Sequence, residues 1–218
     1  MLLLIAGMVL AAGMVLAAGC GGPDAPADLS QAPSSPPASP APIVFTGDAF
    51  VVHAAGTLSR ARSDAAWAGV LDTLNRYLDA AVLTPLRTGG PAGDLAPLLN
   101  RPALARVVPG GADRFAFIDE NLPPVSDLRS ERAVAGLTAL AGPDGTVSVV
   151  TAGIELRLTG HAAGGAVRVV RTGELVLTPE AGGWRIDAYD IKVVRTQARL
   201  PRSGGRSGPE TTTSTARS

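Results

Sequence analysis

Acid–base, nucleophilic or metal chemistry would have to come from very few side chains here. The only histidines are His53 and His161, and the only cysteine is Cys20. A transition-metal site usually recruits several His or Cys ligands. A lone cysteine makes neither an intramolecular disulfide nor a multi-cysteine cluster. No metal and no cofactor is expected. His53 falls in an apolar run, facing either the core or solvent, and with an aspartate it would be the sole acid–base machinery on offer. His161 opens the Gly-rich stretch 161–165, where a solvated turn residue is expected. Asp119 and Glu120 are adjacent, so their side chains diverge and make a poor acid–base pair; a solvated pair or a cap is the expectation. Asp187 and Asp190 lie near Arg185 and Lys192 and read as solubilising charges at a sheet edge. No Gly-x-Ser-x-Gly elbow, phosphate loop or dinucleotide fingerprint occurs. No catalytic residue is assigned, and the chain reads as a non-enzyme.

The elements that would position these groups fall into two halves. From Ser63-Asp64, either of which can cap, Trp67, Val70, Leu71, Leu74, Tyr77, Leu78, Ala81 and Val82 recur at helical spacing. Pro85 ends or kinks this helix at about Thr84. Before it, Ala49–Leu58 reads as a short strand. Residues 86–125 leave room only for short helices near Asp94–Leu99 and Ala112–Asp119. From Glu131 the period becomes two, in runs near 131–140, 146–159, 166–178 and 183–195, joined by short Gly-rich turns. That is an antiparallel meander. In the last run Trp184, Ile186 and Ala188 share one face, after which Tyr189, Ile191 and Val193 take over the apolar role. Such a phase change near Ala188-Tyr189 predicts a β-bulge and a bent sheet. The fold class is α+β: one main amphipathic helix packed on a curved antiparallel sheet of four to five strands.

Composition sets the frame around that domain. Aromatic residues make up only 4% of the chain, so Val, Leu, Ile and Ala must build the core. Residues 195–218 carry five Arg and one Glu, a net +4 in a chain that is neutral overall. With Pro, Gly, Ser and Thr from Pro201 onward, 201–218 reads as a disordered basic tail. No basic stripe with interleaved aromatics occurs, so no nucleic-acid partner is expected. Residues 21–42 hold seven prolines and almost no large apolar side chain. They cannot bury enough surface to offset their ordering entropy. In polyproline form, at about 3.1 Å per residue, this tether reaches at most roughly 70 Å.

Residues 1–19 carry no charge and end in Leu16-Ala17-Ala18-Gly19-Cys20. That ending resembles the lipobox of bacterial lipoproteins: an aliphatic residue, two small ones, then Cys. It departs from the pattern in having Ala17 where Leu is favoured, and in lacking a basic residue near the start. The resemblance implies a signal peptide at 1–19, cleavage before Cys20, and a diacylglyceryl group on its thiol. Two acyl chains hold a protein stably where one is marginal. The expected location is the outer face of the cell membrane.

Helix first, meander after, with Gly183-Trp184-Arg185-Ile186-Asp187-Ala188-Tyr189 as the last strand, resembles the NTF2-like (cystatin-like) domains. The resemblance covers about 46–196, within a domain placed at 45–200 after a linker at 20–44. A further likeness is to lipoproteins of actinobacteria, similar in layout to Mce-associated proteins, on Pro85-Leu86-Arg87-Thr88-Gly89, Asp113-Arg114 and Asp119-Glu120. The anchor, the long tether and the absence of a catalytic set point to a non-catalytic binding or accessory module, with an envelope protein or a lipid as partner. The alternatives are a small-molecule or lipid carrier and an NTF2-like enzyme. In such domains a pocket often opens between helix and sheet, where Trp67, Tyr77, Trp184 and Tyr189 would line it; a plain core accounts for the four equally well.

Overall fold

In a computed structural model, residues 41–198 and 210–218 are described. The apolar start, Cys20 and nearly all of the linker lie outside the described residues. Strand β1, Thr46–Ala54, leads into α1, Arg60–Tyr77. Ser59 caps that helix by accepting from the Arg62 N–H at 3.3 Å, four residues ahead of Ser63. The expected stripe is buried: Val70, Leu74, Tyr77, Leu78, Ala81 and Val82 have no exposed surface, while Trp67 and Leu71 are half-covered.

Pro85 does not end this helix. Leu78–Leu83 is a π-helical stretch, in which Thr84 N–H reaches back five residues to Asp79 O, and α2 then continues over Thr84–Thr88. Proline has no N–H to give, and the carbonyls of Ala80 and Ala81 in the turn before it accept from outside the helix. Gly93 N–H takes the first at 2.9 Å and Asp119 N–H takes the second at 2.9 Å. These two bonds tie the 86–125 segment to the helix. Gly89 ends α2 in the left-handed region at φ 67°. Of the two short helices expected here, the first lies later, as α3 over Arg101–Val107; the second is α4 over Arg114–Phe117. Asn100 caps α3 through its Oδ1 at 2.9 Å from Ala103 N, with Pro102 in the first turn, where a missing N–H costs nothing.

The sheet has six strands in chain order, more than the four to five expected. Four form the meander: β2 Ser126–Ala141, β3 Val147–Ala162, β4 Gly165–Glu180 and β5 Gly183–Gln197. β1 joins β2 in parallel, as the long helical crossover between them requires. β6, Glu210–Arg217, joins β5 antiparallel. The reading of 201–218 as a disordered tail is corrected there: eight residues pair with Asp190–Gln197, and Ala216 is buried. α1 packs on β1, β3 and β5. The inward face of β3 is the expected one, Val150, Ala152, Ile154, Leu156 and Leu158. The bulge falls one residue from its expected place. Val176 pairs with Ala188 and Leu177 with Ile186, leaving Asp187 as the extra residue. Further register shifts occur in the β1–β2 and β2–β3 pairings, and each bends the sheet locally.

Candidate functional site

Two arginines occupy inward positions of this sheet. Arg171 on β4 follows Val169 in the apolar phase, and Arg195 on β5 follows Ile191 and Val193. Arg171 is wholly buried, as is Asp119, which its Nη2 reaches at 2.7 Å. Arg195 donates through Nε to the other oxygen of the same carboxylate at 2.6 Å, and through Nη2 to Phe115 O at 3.0 Å. Arg171 Nη1 donates to Tyr77 Oη at 2.8 Å and to the carbonyls of Ala116 and Phe117. A buried guanidinium is tolerable only with such a set of acceptors. Asp119 arrives there because its N–H is held by the Ala81 carbonyl that Pro85 leaves open. The reading of Asp119-Glu120 as a solvated pair is therefore corrected. The two carboxylates do diverge, but Glu120 turns to Arg114, which grips it with Nε and Nη2 at 2.5 Å each.

A second cluster lies below. Tyr189 Oη donates to Asp113 Oδ2 at 3.0 Å, and Arg106 Nε donates to the same oxygen at 2.5 Å. Phe117 lies between Tyr77 and Tyr189, with ring centroids 4.9 and 4.6 Å away. Both phenols are held above the ordinary tyrosine value, Tyr77 by burial, opposed by Arg171, and Tyr189 by burial and then by its bond to Asp113. In the unfolded chain they ionise near pH 10. Their contribution to stability is thus full below pH 10 and is lost as pH rises beyond it, by up to about 1.4 kcal/mol per pH unit each. Tyr77 and Tyr189 are the only tyrosines. Phenolate absorbance should therefore rise in one step with the loss of the far-ultraviolet dichroism of the fold. Absorbance rising while the dichroism is intact would mean that at least one phenol is open to solvent.

Where the 114–125 loop crosses the end of β5 and β6, a half-open cleft of about 470 Å³ remains. Its lining is partly apolar, with Phe115, Leu122, Val125 and Val167, and partly polar, with Gln197, Thr212, Ser214 and Arg195. The space between helix and sheet is filled by Leu74, Tyr77, Leu78, Phe117 and Arg171, none of them exposed. Tyr77 and Tyr189 are core residues, and Trp67 packs edge-on against Phe50 at 5.2 Å between centroids. Trp184 borders a polar hollow of about 220 Å³ beside Thr73 and Arg76. His53 is exposed on β1, opposite Leu140 on β2, with the rest of the sheet between it and the cleft. His161 ends β3 in a shallow groove and is exposed. Asp187, turned out by the bulge, meets the Asn100 side-chain amide that caps α3. Asp190 pairs with Arg217 of β6 at 2.7 Å rather than with Arg185 or Lys192. Among the described residues no three His, Cys, Asp or Glu side chains gather where a metal ion could be held. Neither Arg171 nor Arg195 was among the expected site residues. Comparison with protein-family models, curated proteins and solved structures finds no match.

Proposed function

We propose that the chain is a lipid-anchored protein of the cell envelope whose folded part, an NTF2-like domain, binds a ligand or partner and performs no catalysis. The observation that carries the binding reading is the cleft beside β6. Its lining is both apolar and polar, and the two ionised groups that border it are already engaged, Glu120 with Arg114 inside the 114–125 segment and Arg195 with Asp119 between that segment and β5. A group so engaged is badly placed to shuttle protons, because moving its charge would undo the fold. The enzyme alternative would need His53 near a carboxylate in a cavity, and His53 stands in solvent at the far edge. The carrier alternative would use this cleft, since the space under the helix is occupied.

The anchor rests on Leu16–Cys20, on Cys20 being the sole cysteine, and on a proline-rich tether that follows it. Among the described residues no helix is long and apolar enough to cross a membrane. Cys20→Ala should move the protein from the membrane fraction to the soluble fraction without changing its fold. Unchanged retention would mean that residues 1–19 stay in place as an uncleaved helix. For the binding reading, a photo-reactive side chain at position 115 in the full chain should capture a bound species from envelope extracts. The same probe at Val51, on the opposite edge of the sheet, should not. Equal capture at both positions would remove the cleft as the binding face.

A further inference from the structure

We infer that the cleft takes an anionic amphiphile, a compound with an apolar body and a carboxylate or phosphate head, the head lying against Arg195. This rests on the cleft being the binding face.

Charge gives the head. Among the described residues Arg171 and Arg195 share the single carboxylate of Asp119, so two positive groups against one negative leave the cluster with one net positive charge. The neighbouring pairs cancel: Glu120, which also borders the cleft, is held by Arg114, and Asp113 by Arg106. Arg171 is sealed in the core, while the Arg195 side chain keeps 13% exposure and lines the cleft. The surplus is therefore presented to a ligand at Arg195. A guanidinium carries five N–H donors in a fixed fork, so it can serve a second oxyanion while keeping Asp119. The hydroxyls of Thr212 and Ser214 border the same space and can donate to an oxyanion.

Shape gives the body. Phe115 is 64% exposed, the most exposed large apolar side chain in the described residues, and it stands on the cleft wall with Leu122, Val125 and Val167. A volume of about 470 Å³ suits a small molecule, since ligand cavities run from about 300 to 1,000 Å³. A protein partner would need about 800 Å² of surface on each side, far more than this recess offers.

The test titrates the full-length chain with four single-chain probes below their micelle concentrations: dodecanoate, dodecyl phosphate, dodecanol and dodecyltrimethylammonium. At least one anionic probe should bind about tenfold or more tighter than dodecanol, and the cationic probe should bind weakest. Whichever anion leads identifies the head as carboxylate or phosphate. Thr212→Asp, an exposed substitution, should weaken the anion about tenfold and leave dodecanol unchanged; Phe115→Ala should weaken all probes alike. Dodecanol binding as tightly as both anions would overturn the head assignment and leave the cleft a binding face. No binding of any probe, with capture still seen at position 115, would overturn the amphiphile and keep the binding module. Loss of that capture as well would end both.

Discussion

Asp119→Ala is expected to be the most damaging single polar substitution in the domain, lowering its stability by about 3–5 kcal/mol. Among the described residues the carboxylate is the only anionic partner of Arg171, which has no solvent to retreat to. Its removal leaves a buried charge with only Tyr77 Oη and two carbonyls for company. In a domain of this size each kcal/mol moves the melting temperature by roughly 2–4 °C, so a fall on the order of 10 °C should be seen. Asp119→Asn, which keeps the shape and loses the charge, should recover only part of it. Arg171→Met should cost less than Asp119→Ala, because Asp119 then keeps Arg195. The double variant Asp119→Ala, Arg171→Met should be more stable than Asp119→Ala alone, since it removes the stranded charge. Urea denaturation of the four variants measures this. A loss under about 1 kcal/mol for Asp119→Ala would mean that water reaches Arg171 and that the cluster is not sealed.

That cluster was the part least legible from the sequence, and the reason is distance along the chain. Asp119 meets Arg171 across 52 residues and Arg195 across 76, and no local spacing encodes either pairing. One signal was present. In β4 the inward phase runs Val169, Arg171, Leu175, Leu177, and in β5 Ile191, Val193, Arg195. An arginine in an apolar phase demands a buried anion, and Asp119, directly after the buried Phe117 and Ile118, is one of the acids that could supply it. The helix and the meander were legible because their apolar periods are long and unbroken. Pro85 reads locally as a stop, yet a π-helical stretch and two outside donors absorb it, which only the packed 86–125 segment can supply. β6 was illegible for the opposite reason. Among its described side chains the Thr-rich stretch buries only Ala216, so no alternation marks it, and its threonines suit a strand only because the edge of β5 is there to pair with.

Gly173→Ala should rival Asp119→Ala, with an expected loss of about 3 kcal/mol or more through backbone rather than charge. Gly173 lies in the middle of β4, between Ile154 of β3 and Ile191 of β5, at φ 145°. A Cβ there would stand 2.0 Å from Asp190 O and 2.9 Å from Ile191 Cα, both main-chain atoms of the neighbouring strand. Neither can turn aside as a side chain would, so β5 must move. Gly182 provides the control, because its φ is 105° and a Cβ on it would meet nothing within 4 Å. Gly182→Ala should therefore show the conformational cost alone, on the order of 1 kcal/mol. If the two substitutions cost the same, the close approach of β4 and β5 is not a structural constraint. The displacement also has a functional consequence. Arg195 stands four residues beyond Ile191 on the same strand, and it reaches Asp119 only while β5 keeps its register with β4. Folded Gly173→Ala protein should accordingly bind the preferred anionic probe several-fold more weakly, whereas Gly182→Ala should bind it as the parent does. Unchanged affinity in Gly173→Ala would mean that Arg195 is positioned by the 114–125 loop rather than by the strand that carries it.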